Sequence, residues 1–500
     1  MSYKKSMKML HLRLKQERYG LVIVLVFILS RVIFSLKGGS FLATPLSFAK
    51  QYLDPVLLEN DLLRSLFYLH SQPPLFNFFL GVILKISPIP AISYELLFKT
   101  AGALIPLIFY GILTSLGINS FVALMATIIF MLNPTLILYE NLLYYTYVEA
   151  LFVLLSIFFL MYWGIKKRFI YLFLFWMSLL CLGMIRSLFH PVFFLITAVI
   201  LSLHLRLTGK GKRLARNFFL SSFIVLIPMF SLCVKNFCLY GIFGTSSWAG
   251  MSLWIKANGY GPEKLEQLYH SGIISRQAVL AGLETFQSIH HFFGENNLKH
   301  IPCHHPADCN EWRSSGYPNY NHSGYVYLSK QLWKDAVSLI LYNPTLFAFY
   351  TAGSYSLMLW HSSDSVHALF MNNMQIVEKI ENFYRFLYFG FLGVESKQST
   401  QSMWWMRTIV ISAVFLLFYA STVINLFRNG NSTPSTLLTV CLFCFLIHTY
   451  TLCISSLIEF GENNRFRFPV DAAFLVLIAG NIISWKNYLK ASVAIDRGNQ

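Results

Sequence analysis

The sequence predicts an all-α polytopic membrane protein, a bundle of about 10–12 transmembrane helices with its polar, chemistry-bearing loops on one face. Three observations predict it. Hydrophobic residues make up 56% of the 500 and charged residues only 12%, whereas a soluble domain is about a quarter charged. Apolar stretches of spanning length recur along the chain. The basic residues fall in short clusters between those stretches rather than over a surface.

Composition sets the class. Mean hydropathy is +0.55, and the chain lacks the polar residues needed to cover a water-facing surface. The 46 Phe residues and 17% aromatic content suit lipid-facing helices with interfacial aromatic belts. No heptad and no longer internal period is present, which excludes coiled coils and solenoids. Net charge is +17, but no aromatic–basic base-stacking module accompanies it, so nucleic acid is not an expected partner.

Good spanning candidates lie near 19–36, 96–116, 119–138, 146–164, 169–185, 188–205, 217–236, 407–427, 435–458 and 466–485, with weaker ones at 71–88 and 337–360. Polar stretches occupy 37–70, 237–335 and 361–406. Three regions follow: an N-terminal transmembrane module (1–236), an outer-face loop region with interfacial helices (237–406), and C-terminal transmembrane helices with a tail (407–500). The first apolar stretch has no small-residue cleavage site and reads as a retained helix.

Orientation follows from the positive-inside rule. Lys4, Lys5, Lys8, Arg13, Lys15 and Arg18 precede the first stretch; Lys166, Lys167 and Arg168 form a turn; Arg206, Lys210, Lys212, Arg213 and Arg216 form a loop. With Arg428 and the Lys486–Lys490 tail, these mark the cytoplasmic side, and both termini lie there. All three polar stretches then fall on the other face. Parity requires one apolar segment between 71 and 138 to be interfacial or re-entrant, and 71–88, opening on Ser71-Gln72-Pro73-Pro74, is the expected one.

Four clusters on the outer face carry chemistry. The first loop holds Asp54, Glu59 and Asp61, three carboxylates suited to acid/base work or a cation; a solvated loop with a helix cap is the alternative. Asn133-Pro134 leads to Tyr139-Glu140-Asn141 and Tyr145, where a carboxylate at a membrane boundary demands a partner or a polar cavity. Arg186 and His190 end a helix on the outer side, where an arginine fork suits a phosphate. Arg465 and Arg467 alternate with aromatics and could clamp a phosphate or pyrophosphate; for all three arginines, snorkelling to lipid headgroups is the alternative. Of eight cysteines, Cys303 and Cys309 are the only plausible disulfide pair. Their spacing with His304 and His305 matches no usual zinc site.

The run His70-Ser71-Gln72-Pro73-Pro74-Leu75 after an acidic first loop resembles the His/Lys-Pro-Pro-Leu signature of GT-C fold glycosyltransferases. The branch it most resembles is that of the dolichyl-phosphate-mannose protein mannosyltransferases and bacterial aminoarabinose transferases. The Asn133-Pro134 … Glu140 and Asn464-Arg465-Phe466-Arg467-Phe468-Pro469 … Asp471 segments are similar to later features of its uncharacterised bacterial members. The resemblance implies a GT-C-like bundle in a bacterial cytoplasmic membrane and a polyprenyl-phosphate-sugar donor. The acceptor it implies is a lipid, glycan or protein, and the base a first-loop carboxylate. Asp61 is the expected base, Glu140 the second catalytic candidate, and Asp54, Glu59 and Tyr145 are in reserve. His70, Gln72, Arg186, His190, Arg465 and Arg467 would bind donor or phosphate. A divalent cation (Mg or Mn) at the first outer loop is the cofactor some such enzymes use. Rival readings are a lipid-linked glycan flippase, polymerase or ligase, and a secondary transporter.

Overall fold

A computed structural model describes residues 2–208, 211–362, 367–389, 401–428 and 435–498. Among them the only extended pairings are two isolated bridges, Leu42–Leu142 and Trp312–Pro318; the rest is helix and connecting loop. Among the described residues, seven helices are long and apolar enough to cross a bilayer: Glu17–Leu36, Pro90–Ser115, Tyr145–Lys166, Lys212–Tyr240, Met406–Phe427, Thr436–Ile458 and Asn463–Lys490. Three shorter apolar helices, Leu75–Ile86, Phe169–Ile185 and Pro191–Leu207, accompany them. The chain is an all-α polytopic membrane protein.

Prolines explain where expected spans break. The stretch expected at 119–138 divides into Ser120–Met131 and Pro134–Glu140, bent by 58°. Asn133 accepts from the Thr135 N–H at 2.9 Å and caps the second piece. Pro134 has no N–H to donate and disfavours helix in the residue before it. The weak candidate at 337–360 splits in the same way into Gly324–Tyr342 and Pro344–Met358, with the Asn343 side chain accepting from the Leu346 N–H at 3.1 Å. Leu75–Ile86 has 12 residues, about 18 Å of helix against about 30 Å of hydrocarbon. It is too short to cross, and the bent pair 120–140 is the other segment between 71 and 138 that departs from a single straight span.

Two cores form. The larger joins the apolar helices, with Trp176, Phe175, Leu179 and Val470 among its fully enclosed side chains. The second belongs to the polar segment, where Trp248, Trp254, Leu265, Ile289, Tyr325, Leu332 and Leu339 pack on one another. Residues 249–342, within the region expected to combine loops with interfacial helices, are a helical unit with its own core. Its helices are short, and the longest, Gly324–Tyr342, is amphipathic. Of the expected polar stretch 361–406, residues 363–366 and 390–400 lie outside those described.

Candidate functional site

The first loop is clamped from both sides. The Leu42 N–H donates to Asn141 O at 2.8 Å, and the Leu42 carbonyl accepts from the Leu143 N–H at 2.9 Å. From the helical unit, Arg313 donates to the carbonyls of Phe48, Ala49 and Tyr52, and Asn321 Oδ1 accepts the N–H groups of His70 and Ser71, both at 3.0 Å. Backbone groups that water would otherwise satisfy are bonded here to protein, which fixes the side chains the loop carries.

The strongest constellation gathers Arg186, Arg465, Glu149, Tyr144, Tyr145 and Phe466. Arg186 is the residue after Phe169–Ile185, and Arg465 begins the helix Asn463–Gly498. The Arg186 guanidinium carbon lies 3.8 Å from the Phe466 ring centre and 5.4 Å from that of Tyr145. That of Arg465 lies 5.5 Å from Phe466, 6.0 Å from Tyr145 and 5.1 Å from Tyr144. Both cations thus face the same two rings, which attract them through the ring quadrupole. Arg186 is ion-paired with Glu149 at 2.9 Å, and Glu149 is fully buried. Yet Arg186 Nη2, Glu149 Oε1 and Arg465 Nε are buried without a hydrogen-bond partner among the described residues. Unpaired buried donors are costly, and a ligand oxygen would relieve two of them. Gln72 reaches the same corner, with Ser187 Oγ 3.4 Å from its Oε1. Glu459, bonded by Ser252 Oγ at 3.1 Å, feels both arginines, but burial outweighs them and raises its carboxyl above the usual range.

Asp61 belongs to a second cluster. It separates helices Pro55–Asn60 and Leu62–Phe67, and its Oδ2 lies 2.9 Å from His305 Nε2. His305 stacks on Tyr68 with centres 5.4 Å apart, and the Cys303–Cys309 disulfide brackets it. The expected disulfide is present. No hydrogen bond, ion pair or ring contact joins Asp61 to Arg186 or Arg465 among the described residues.

Other expected site residues have structural duties. Glu140, with no exposed surface, is gripped by Arg31 (Nη2 at 2.6 Å) and Lys99 (3.0 Å), so it is a neutralised anchor rather than a free base. Arg467 is also committed: its Nε donates to Asp471 at 2.8 Å, Nη1 to Met358 O at 2.6 Å and Nη2 to Ser362 at 3.2 Å. His190 caps Pro191–Leu207 through Nδ1. His70 pairs with Ser247 Oγ at 2.9 Å; burial, with Lys235 nearby, holds its ring at about 3, so it is neutral. Asp54 accepts from Val56 N–H and from Ser314 N–H and Oγ, while Glu59 faces solvent. The three first-loop carboxylates do not converge, and among the described residues no set of three or more His, Cys, Asp or Glu is placed to hold a metal ion.

Sequence reasoning missed Glu149 and Glu459, and weighed His305 only as part of a zinc pattern. Glu149 had a readable signal, being a carboxylate inside an apolar span, where it needs a partner. Comparison with known proteins finds no matching family model, curated protein or solved structure.

Proposed function

We propose that the protein is a GT-C-like membrane glycosyltransferase that moves a sugar from a polyprenyl-phosphate donor to a lipid, glycan or protein acceptor on the non-cytoplasmic face. The convergence of Arg186 and Arg465 on Tyr145 and Phe466, with unpaired buried donors, is the observation that carries this reading. Guanidinium forks suit phosphate oxygens, and a wall of aromatic rings suits a sugar or prenyl face.

In the proposed single displacement, the acceptor oxygen attacks the anomeric carbon. The bond from that carbon to the phosphate oxygen breaks, and its electron pair leaves with the polyprenyl phosphate. Arg186 and Arg465 stabilise the charge that develops there. Asp61 takes the acceptor proton, an effect worth about 10²–10⁴-fold. In this reading Asp61 is assigned to the acceptor and the arginines to the phosphate. Both termini and the basic turns lie in the cytoplasm in this arrangement.

A flippase, polymerase or ligase would share the phosphate subsite and have no need of Asp61. The break at Asn133-Pro134 favours a transporter, since such proteins use discontinuous helices. The ionisable group beside it, Glu140, is however already held by two cations.

The test is incubation of purified protein with radiolabelled polyprenyl-phosphate sugars and membrane extract as acceptor source. Label should move to acceptor, Asp61→Asn should lose turnover with donor still bound, and Arg465→Ala should weaken donor binding. Donor binding without transfer, unaffected by Asp61→Asn, favours the flippase or ligase reading; no binding of any donor overturns the proposal.

A further inference from the structure

The Asp61–His305 contact joins residues 244 positions apart. His305 begins the short helix Pro306–Cys309 as its cap. Its ring Nδ1 accepts from the Ala307 N–H at 3.2 Å, and its backbone N–H donates to Asp308 Oδ1 at 2.7 Å. Asp308 is buried and held by Tyr240 Oη at 3.1 Å. The ring plane lies 9° from that of Tyr68. A neutral imidazole has one acceptor nitrogen. With Nδ1 accepting, the ring proton is on Nε2, and Nε2 donates to Asp61 Oδ2.

The two side chains differ in access. His305 is 5% exposed and Asp61 is 38% exposed. The buried member is the histidine and the reachable member is the carboxylate, whose Oδ1 has no hydrogen-bond partner among the described residues. A histidine acting as base, oriented by a buried carboxylate, would show the opposite burial. A cap alone does not explain the residue either, because capping uses Nδ1 and the backbone and is indifferent to Nε2; Asn would cap at least as well.

We infer that His305 is a positioning residue that holds the Asp61 carboxylate in a single orientation, with one oxygen bonded and the other presented to the acceptor hydroxyl. The inference rests on Asp61 being the base of the proposed reaction. It assigns the 249–342 unit a direct part in the chemistry: the unit supplies the group that aims a residue of the first loop. Preorganisation of this kind acts on turnover more than on donor affinity, since no donor atom is touched.

Two substitutions separate positioning from capping. His305→Asn keeps an N-cap acceptor and loses the donor to Asp61; His305→Gln places an amide N–H near the former Nε2 and weakens the cap. In the transfer assay His305→Asn should lower kcat about 10–100-fold, with donor KM, melting temperature and the Cys303–Cys309 disulfide unchanged. His305→Gln should recover most of that loss, and His305→Asn should cost nothing further in an Asp61→Asn background. Wild-type kcat in His305→Asn, or His305→Gln no more active than His305→Asn, overturns the inference while leaving the base assignment standing. Transfer that survives Asp61→Asn sinks the base assignment and the inference with it.

Discussion

Glu140→Gln should loosen the ends of the three helices that meet at it before it affects chemistry. The carboxylate is buried among Arg31 of the helix Glu17–Leu36, Lys99 of Pro90–Ser115 and Tyr147 of Tyr145–Lys166, with contacts of 2.6, 3.0 and 3.4 Å. Arg31 is enclosed, so removing the charge strands a guanidinium that solvent cannot reach. Lys99, with 21% of its side chain exposed, can turn toward water. Breaking a buried pair by removing one partner costs about 3–5 kcal/mol; the Lys99 escape route and the surviving amide oxygen place the expected loss near the lower end, about 3 kcal/mol. The assay is thermal unfolding of detergent-purified protein, comparing Glu140→Gln, Arg31→Met and the double variant. The double variant should be less damaged than the sum of the singles, because it leaves no stranded charge. A Glu140→Gln protein that melts like the wild type but transfers no sugar would show that Glu140 carries chemistry, and would refute this assignment.

Removing the Cys303–Cys309 disulfide should cost on the order of 2 kcal/mol on the closed-loop model, and peptide mapping without reductant should recover one linked pair; two free thiols would exclude it. Lys256 donates to Tyr350 O at 2.6 Å and to Ser354, and burial pulls its ammonium from the usual 10.5 down to about 7. Between those values the unfolded chain holds a proton that the folded chain does not, so stability should rise as pH climbs from 7 to 10.5. A pH series of melting curves checks this, and Lys256→Met should flatten the slope. For topology, Glu59→Cys and Tyr317→Cys should react with an impermeant thiol reagent from outside, while Lys212→Cys should not, in a background lacking the exposed Cys238 and Cys453; reaction of position 212 from outside would invert the orientation.

How far the sequence could be read depended on whether the deciding contacts are local. Spanning helices depend on apolar length, and most expected stretches correspond to helices within a few residues. The Asn133-Pro134 break was visible as chemistry but not recognised as a bend, because the apolar run continues through it. The separate core of the 249–342 unit was not legible for a different reason. It is built from a few apolar residues on each of five helices, and no window along the chain registers their sum. Arg186, an arginine where positive-inside bias would not put one, was legible as unusual and does sit in the strongest cluster. Arg467 was judged by the same alternation with aromatics as Arg465, yet the two point to different places. Only the fold reveals that Asp471, one turn away, claims Arg467.

The different ties of Arg186 and Arg465 lead to a last prediction about how an anion would enter. Arg186 is held by Glu149, and both are buried, so that pair cannot part cheaply. Arg465 is paired at 2.7 Å with Glu462, but 48% of the Glu462 side chain is exposed. The carboxylate end of that pair is half in solvent, so it parts at lower cost than the doubly buried Arg186–Glu149 pair, and a phosphate can offer the guanidinium two parallel bonds in its place. Glu462 is therefore the group an incoming phosphate displaces, and it competes with donor for Arg465. Glu462→Gln should tighten binding of a polyprenyl phosphate by about 2–5-fold, a difference of under about 1 kcal/mol, and should do so chiefly at low salt, where the exposed carboxylate is least screened. Arg465→Ala should abolish the gain, because the competition exists only through that guanidinium. Titration of purified protein with a short-chain polyprenyl phosphate at two ionic strengths measures both. Weaker binding in Glu462→Gln would mean that the carboxylate holds Arg465 in place for the phosphate rather than occupying its seat.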